Sequence, residues 1–244
     1  MSGGFPLATL PHEVDAPLAR SGGFVAVAPD DSGIQLDRAT FESKRVQLFA
    51  KRMMDIVGGI ALLVLFSVPA ALVALAIRLE SAGSPVLTQV RVGKYGRTFK
   101  MYKFRTMYRD AEARRAELLD LNEQDGPIFK IRNDPRMTRL GRWLRKLSVD
   151  ELPQLLNVVR GEMSLVGPRP PLPHEVMVYT DRQLRRLQAK PGLTGLWQVH
   201  GRSTLTFEKM VALDLEYIDE WTLLRDVVIL AKTFPAVVST RGAF

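Results

Sequence analysis

The sequence has no cysteine and only three histidines, His12, His174 and His200. A disulfide framework, a thiolate zinc site and a cysteine nucleophile are therefore excluded, and little is left for a histidine-rich metal centre. Negative charge is also scarce: 26 Asp and Glu stand against 34 Lys and Arg, a net +8 over 244 residues. That excess predicts an anionic partner, which charge alone leaves open among nucleic acid, an acidic lipid surface and a phosphorylated small substrate. With 46% hydrophobic and 25% charged residues, the chain has the composition of a folded protein with an ordinary core, which excludes gross disorder.

Residues 1–40 are rich in Gly, Pro, Ala and Asp and show no sustained period, so they read as a disordered tail. They lack the basic start, apolar run and cleavage site of a secretory signal. Ile56 to Ile77 then runs for roughly 22 residues without a charge, about 33 Å as a straight helix, which is long enough to cross a bilayer. A buried helix of a soluble domain is the alternative, but core helices seldom run so far without a polar face. Ser67 and Pro69 sit near the middle of the run, where proline removes a backbone donor and predicts a kink. Lys44, Arg45, Lys51 and Arg52 precede the run, and Arg78, Arg91, Lys94, Arg97 and Lys100 follow it. Positive flanks favour the cytoplasmic side, so a helix broken at Ser67-Val68-Pro69 that enters and leaves through one leaflet suits both ends better than a straight span. Residues 41–80 are thus read as a basic flank with a re-entrant membrane helix, and 81–244 as a cytoplasmic domain.

In that domain Val86 to Val92 and Thr98 to Phe104 read as extended segments joined by the turn Gly93-Lys94-Tyr95-Gly96. Arg109 to Leu121 reads as a charged helix, and Asp134 to Leu147 as a basic one. Leu152, Leu155, Leu156 and Val159 mark one face of a further helix that Gly161 can end. Pro168, Pro170, Pro171 and Pro173 enforce an extended stretch. Glu175 to Ala189 is amphipathic, and Phe207 to Trp221 is helical. The expected fold is α+β and mainly helical, with a re-entrant helix-break-helix anchor, short strands and amphipathic interfacial helices.

The sharpest chemical feature is Ser148-Val149-Asp150-Glu151-Leu152-Pro153. Pro153 suits the first turn of a helix, which places two adjacent carboxylates at its positive end. Ser148 with Glu151 also fits a capping box, a purely structural reading of the same residues. Some twenty residues on, prolines flank Arg169 in Gly167-Pro168-Arg169-Pro170 and stiffen the segment that carries it. A guanidinium held there can fork onto two phosphate oxygens, whereas the plain alternative is a surface arginine between turns. Lys100, Lys103 and Arg105 alternate with aromatic and apolar residues, which predicts one cationic strand face for substrate phosphate or a basic edge toward the membrane. Arg136, Arg139, Arg142, Arg145 and Lys146 form a third basic group, in which the member nearest the dyad can hold a phosphate arriving in the membrane. Carboxylates beside phosphate-binding arginines and a membrane dip point to phosphoryl transfer at the interface, with a divalent cation offsetting the anions.

Five runs carry a resemblance: Lys51-Arg52-Met53-Met54-Asp55, Tyr102 to Met107, Ser148 to Leu155, Met163 to Pro170, and Lys190 to Val199. Together, in this order from about residue 45 to the C-terminus, they resemble the bacterial sugar transferase family, the monotopic polyprenyl-phosphate phosphoglycosyl transferases. The resemblance implies an enzyme that moves a sugar 1-phosphate from a UDP-sugar to undecaprenyl phosphate and releases UMP, opening exopolysaccharide, capsule or related glycan synthesis. It implies that Asp150 attacks the phosphorus bonded to the sugar, that Glu151 handles a proton or orients its partner, and that Mg²⁺ sits against Asp150 and the diphosphate. Arg169, Lys103 and Arg105 would hold substrate phosphate, and Arg145 would meet the lipid phosphate. Ser67 and Pro69 correspond to the family's Ser-Pro helix break, with Val68 intervening here. Asp214, Tyr217 and Trp221 resemble a stretch that shapes the nucleotide or sugar pocket, with core packing as the alternative.

The implied setting is the cytoplasmic face of the bacterial inner membrane, with inner-membrane lipids as partners, no nucleic acid, a homodimer as one option, and a short catalytic-core form of the family. Two other readings are a membrane-anchored adaptor that binds anionic lipid without catalysis and a glycosyltransferase that moves only the sugar. Which sugar and which pathway are served is not encoded in any pattern above.

Overall fold

The computed structural model describes residues 45–239 apart from residue 124, so the tail expected over 1–40 and Lys44 lie outside the described residues. The chain opens on helix α1 (Arg45–Leu65) and helix α2 (Ser67–Glu80), inclined at 59° to one another. Among the described residues no single helix is long and apolar enough to cross a membrane, while the bent pair passes the same test of length and composition together. The break falls at Phe66, one residue before the expected Ser67-Val68-Pro69. The displacement has a steric cause: Pro69 cannot donate to the carbonyl of Leu65 and its ring would clash there, so α1 ends at Leu65 and Pro69 lies in the first turn of α2. Ser67 Oγ donates to the Val64 carbonyl at 2.7 Å, satisfying one of the acceptors that the break exposes. Val57, Ile60, Val64, Val68, Leu72 and Leu75 all point outward from this pair.

Strands β1 (Val86–Val92) and β2 (Thr98–Phe104) form an antiparallel hairpin with Val86 opposite Phe104 and Val92 opposite Thr98, over the two segments that the sequence marks as extended. The expected charged helix over Arg109 to Leu121 is instead a 3₁₀ helix, Ala113–Leu121. A largely exposed segment of this kind has no packed apolar face to hold α geometry. Helix α3 (Arg139–Lys146) starts later than expected because Thr138 accepts from the Gly141 amide at 2.9 Å and caps it there. The 3₁₀ helix Val149–Gln154 leads into α4 (Leu155–Arg160), which Gly161 ends in the left-handed conformation at φ 87°, as its sequence predicts.

Strand β3 (Ser164–Val166) pairs in parallel with β4 (Gly192–Thr194). Gly167 and Gly192 allow this approach, since a Cβ on either would overlap the facing backbone. Between the strands, Glu175 to Ala189 divides into short helices, because Thr180 accepts from the Gln183 amide and restarts the chain as a new helix. Helix α5 (Phe207–Asp219) agrees with expectation, and α6 (Leu223–Ser239) adds a helix that was not expected.

Leu155 and Val158 of α4, Leu165 and Val166 of β3, Val211, Leu215 and Ile218 of α5, and Ile229 of α6 meet in one buried cluster. Each such side chain contributes about 1.5–3 kcal/mol relative to exposure. The base of α1 is fastened to this core by three polar side chains. Lys51 Nζ donates to Asp226 at 2.6 Å and to the Val166 carbonyl at 3.0 Å, and Arg52 donates to the carbonyls of Val158 and Val159 at 2.8 and 2.7 Å. The buried Asp55 accepts from Ser164 Oγ and the Leu165 amide, both at 2.9 Å. The base of α1 is therefore rigidly aligned with β3, the strand that leads into Gly167-Pro168-Arg169.

Candidate active site

The Asp150–Glu151 pair lies on the 3₁₀ helix that follows α3, and the turn between them is sharp. Ser148 takes a left-handed conformation at φ 54°, which costs a non-glycine residue about 1–3 kcal/mol and turns the chain back on α3. Ser148 makes no side-chain cap bond, so the capping-box reading of Ser148 and Glu151 is not what the structure shows. The carboxylates are left available for other partners. Pro153 stiffens the same helix, which packs against β2.

Three elements bring cations to this pair. Strand β2 supplies Lys103, the last turn of α3 supplies Arg145, and the segment after β3 supplies Arg169 between the buried Pro168 and Pro170. That segment is anchored from β1: Arg91 donates to the Pro170 carbonyl at 2.9 Å, and the Val92 amide donates to the Pro171 carbonyl at 3.0 Å. Arg145 is oriented from the other side, where its Nε donates to Thr106 Oγ1 at 3.0 Å. α3 can approach Thr106 so closely because residue 141 is glycine, and a Cβ there would overlap the Thr106 carbonyl.

The electrostatics confirm a crowded, partly desolvated recess. Burial and then the charge of Asp150 push Glu151 up to about 7, against the opposing pull of Arg169, Lys103 and Arg202. Asp150 is also raised by burial, with Arg145 and Lys103 pulling it back. Lys103 is lowered to about 8 by burial, with Arg91, Arg145 and Arg169 adding to the fall and Asp150 opposing it. Lys130 falls to about 7 and Arg91 to about 9, in both cases through burial first and the nearby Arg169 second. Arg145 and Arg202 are lowered by burial and drawn back up by the carboxylates.

Six cations, Arg91, Lys103, Lys130, Arg145, Arg169 and Arg202, thus act on two carboxylates. Such a site is short of negative charge, and a diphosphate or a pair of phosphates would supply it. Positive charge around a carboxylate also lets a phosphate approach a nucleophilic oxygen that would otherwise repel it.

The structure brings Asp150, Glu151, Lys103, Arg145 and Arg169 together, and it separates Arg105 from them. Arg105 follows the end of β2 and donates to the Ser81 carbonyl at 2.5 Å, to Ser81 Oγ at 2.9 Å and to the Ala82 carbonyl at 2.9 Å. Its guanidinium therefore caps the exit of α2, which corrects the expectation that it binds substrate phosphate. The single cationic strand face is corrected too: strand alternation sends Lys100 and Lys103 to opposite sides, and Lys100 is exposed. Arg136 of the third basic group is buried against Asp134 at 2.7 Å.

Asp214 pairs with Arg186 at 2.7 Å in the interior, and Tyr217 and Trp221 both donate to Asp226, so these three belong to the core. Sequence reasoning missed Arg91, Lys130 and Arg202 as members of the cluster. Arg202 follows the Lys190 to Val199 run by three residues and adopts φ 52°, but Lys130 carries no local signal.

Residues 46–240 match the family model described as bacterial sugar transferase. The chain is 45% identical over 201 residues to the galactosyl transferase CpsE of Streptococcus agalactiae, covering 82% of this chain and 44% of that protein. It is 42% identical over 199 residues to the exopolysaccharide production protein ExoY of Rhizobium meliloti, covering 80% of this chain and 88% of that one. It is also 42% identical over 211 residues to the undecaprenyl-phosphate galactose phosphotransferase of Salmonella typhimurium, covering 83% of this chain and 43% of that protein. The chain thus spans less than half the length of two of these three relatives.

Proposed function

The chain belongs to the bacterial sugar transferase family, and from that premise we propose that it transfers a sugar 1-phosphate from a UDP-sugar to undecaprenyl phosphate. The observation that carries the reading is the Asp150–Glu151 pair held inside a shell of six cations. The names of the Salmonella and Rhizobium relatives support the acceptor and a role in exopolysaccharide production respectively.

In the first half-reaction a carboxylate oxygen of Asp150 attacks the phosphorus that bears the sugar. The new O–P bond forms as the bond to the bridging oxygen breaks, and UMP leaves with that oxygen and the bonding pair. Arg169 and Lys103 take the developing charge on the transferred phosphoryl oxygens, and Lys130 and Arg202 extend the clamp toward the departing phosphate. In the second half-reaction an oxygen of undecaprenyl phosphate attacks the same phosphorus, the Asp150–phosphorus bond breaks, and the carboxylate is restored. Arg145 holds the lipid phosphate. Glu151, poised at about 7, accepts the acceptor's proton if it arrives protonated.

No group of three or more His, Asp or Glu side chains suited to a metal converges among the described residues. The donor set instead suits an ion shared with substrate, since magnesium is commonly held by one or two carboxylates together with phosphate oxygens. Asp150 would hold it, and when bound it would offset charge on the diphosphate.

The bent pair α1 and α2 serves as a re-entrant anchor whose two ends return to the cytoplasmic face of the inner membrane. Its outward apolar residues meet lipid, and the basic flanks at both ends keep to one side. A long lipid and a soluble nucleotide sugar can meet only at such a surface.

The test is nucleotide release from a panel of UDP-sugars with undecaprenyl phosphate and magnesium. UMP formation that depends on Asp150 is expected. UDP in place of UMP would indicate transfer of the sugar alone, and no release from any sugar would favour an adaptor.

A further inference from the structure

A cavity lies away from the dyad, at the base of α1. It measures about 240 Å³, and its wall includes Lys51, Arg52, Asp55, Lys94 and Lys190, with Tyr217 and Trp221 on its apolar side. Four of these side chains are cationic and one is anionic. Four of the five are already engaged: Lys51 with Asp226, Arg52 with the carbonyls of Val158 and Val159, Asp55 with Ser164 and Leu165, and Lys94 over the Tyr95 ring at 4.5 Å. Lys190 is not so committed. Its ammonium makes no ion pair among the described residues, and burial together with Arg52, Lys94 and Lys51 pulls it down, with Asp55 alone opposing. A half-buried ammonium among three other cations is a position that an anion would stabilise.

The height of the cavity identifies the anion. Asp55 is the last charged residue before Ile56, where the apolar run begins, so the cavity opens at the level at which α1 leaves the membrane surface. Cations that wall a cavity at that level would meet an anionic lipid headgroup. We propose that the cavity between α1 and the Lys94 and Lys190 loops is a second phosphate site, which takes the phosphodiester headgroup of an anionic phospholipid of the cytoplasmic leaflet. It is separate from the transfer site, because its wall includes none of Lys103, Arg145, Asp150, Glu151 and Arg169. The proposal rests on the re-entrant reading of α1 and α2 and is independent of the transfer chemistry.

The headgroup would sit against the same side chains that fasten α1 to the core. An occupied site would therefore tie the depth of the anchor to the membrane surface, and with it the height of the Asp150 recess above the lipid.

The test uses the full chain in nanodiscs of phosphatidylcholine with or without phosphatidylglycerol. Lipid retained after extraction is counted by native mass spectrometry for the wild type, for Lys94→Gln with Lys190→Gln, and for Lys94→Arg with Lys190→Arg. The wild type and the arginine variant are expected to retain one phosphatidylglycerol per chain, and the glutamine variant on the order of tenfold less. Equal retention by the glutamine variant, or equal retention of phosphatidylcholine by the wild type, would overturn the proposal. Inorganic phosphate raising the melting temperature of lipid-free wild type but not of the glutamine variant would reassign the site to a soluble phosphate and overturn its lipid source. UMP release, measured on the same samples, separates failure of this proposal from failure of the transferase reading.

Discussion

Lys51 Nζ lies 2.6 Å from Asp226 Oδ2, joining the base of the first helix to the last helix across 175 residues. Asp226 is fully buried and also accepts from Tyr217 at 2.7 Å and Trp221 at 3.1 Å, so the ammonium compensates a carboxylate that has no access to water. The pair sets how α1 is oriented on the core, and Asp55, one turn on along the same face, and the adjacent Arg52 fasten it further.

Breaking that pair from one side should be costly. Lys51→Met leaves Asp226 buried with its countercharge removed, and a loss of about 3–5 kcal/mol is expected. Lys51→Met combined with Asp226→Leu should recover much of it. Thermal unfolding in detergent checks this, and a cost below about 1 kcal/mol for the single variant would show that the contact is not a fastening.

Glu151 makes stability depend on pH. Its native pKa of about 7 stands above the ordinary 4.5, so between those values the folded state holds a proton that the unfolded state has released. Stability therefore falls as pH rises through that window. Glu151→Gln should be less sensitive there, with only the raised Asp150 still contributing, and should gain on the wild type as pH rises. Melting temperatures of the two proteins across the window test the sign, and parallel curves would contradict it.

Lys103 and Lys130, at about 8 and about 7, are partly uncharged near pH 8 in the free protein. A diphosphate placed among them restores their positive charge. UDP binding at that pH is expected to take up protons, seen as a dependence of calorimetric binding enthalpy on the ionisation enthalpy of the buffer. Net release of protons would mean that neither lysine meets the phosphates.

Arg105 and Arg169 should separate cleanly. Arg105→Lys loses the forked contact with Ser81 and Ala82 and should lower the melting temperature while UDP affinity holds. Arg169→Lys should weaken UDP on the order of tenfold with little change in melting temperature, because in the proposed role its fork meets phosphate and it makes no hydrogen bond or ion pair among the described residues. The reverse pattern would exchange their roles.

Local signals carried much of this architecture. The alternation in Val86 to Val92 and Thr98 to Phe104 and the glycine stop at Gly161 were legible because hairpins and helix ends are set by nearby residues. The dyad, Arg145 and Arg169 were legible as motifs. What escaped depends on distant contacts. Nothing near Arg91 in sequence reveals that it reaches Pro170, 79 residues on, and Lys130 enters the cluster only because the loop after the Ala113–Leu121 segment folds over it. Arg105 misled for the same reason, since its partners at Ser81 and Ala82 belong to the end of a helix rather than to the strand that it follows.

In the proposed reaction Asp150 carries the phosphosugar between the two half-reactions. The most direct measurement is the intact mass of the protein after incubation with a UDP-sugar and magnesium in the absence of undecaprenyl phosphate. The wild type is expected to gain the mass of one sugar phosphate, undecaprenyl phosphate to discharge it, and Asp150→Asn to gain nothing. An adduct of equal yield on Asp150→Asn would contradict this role of Asp150.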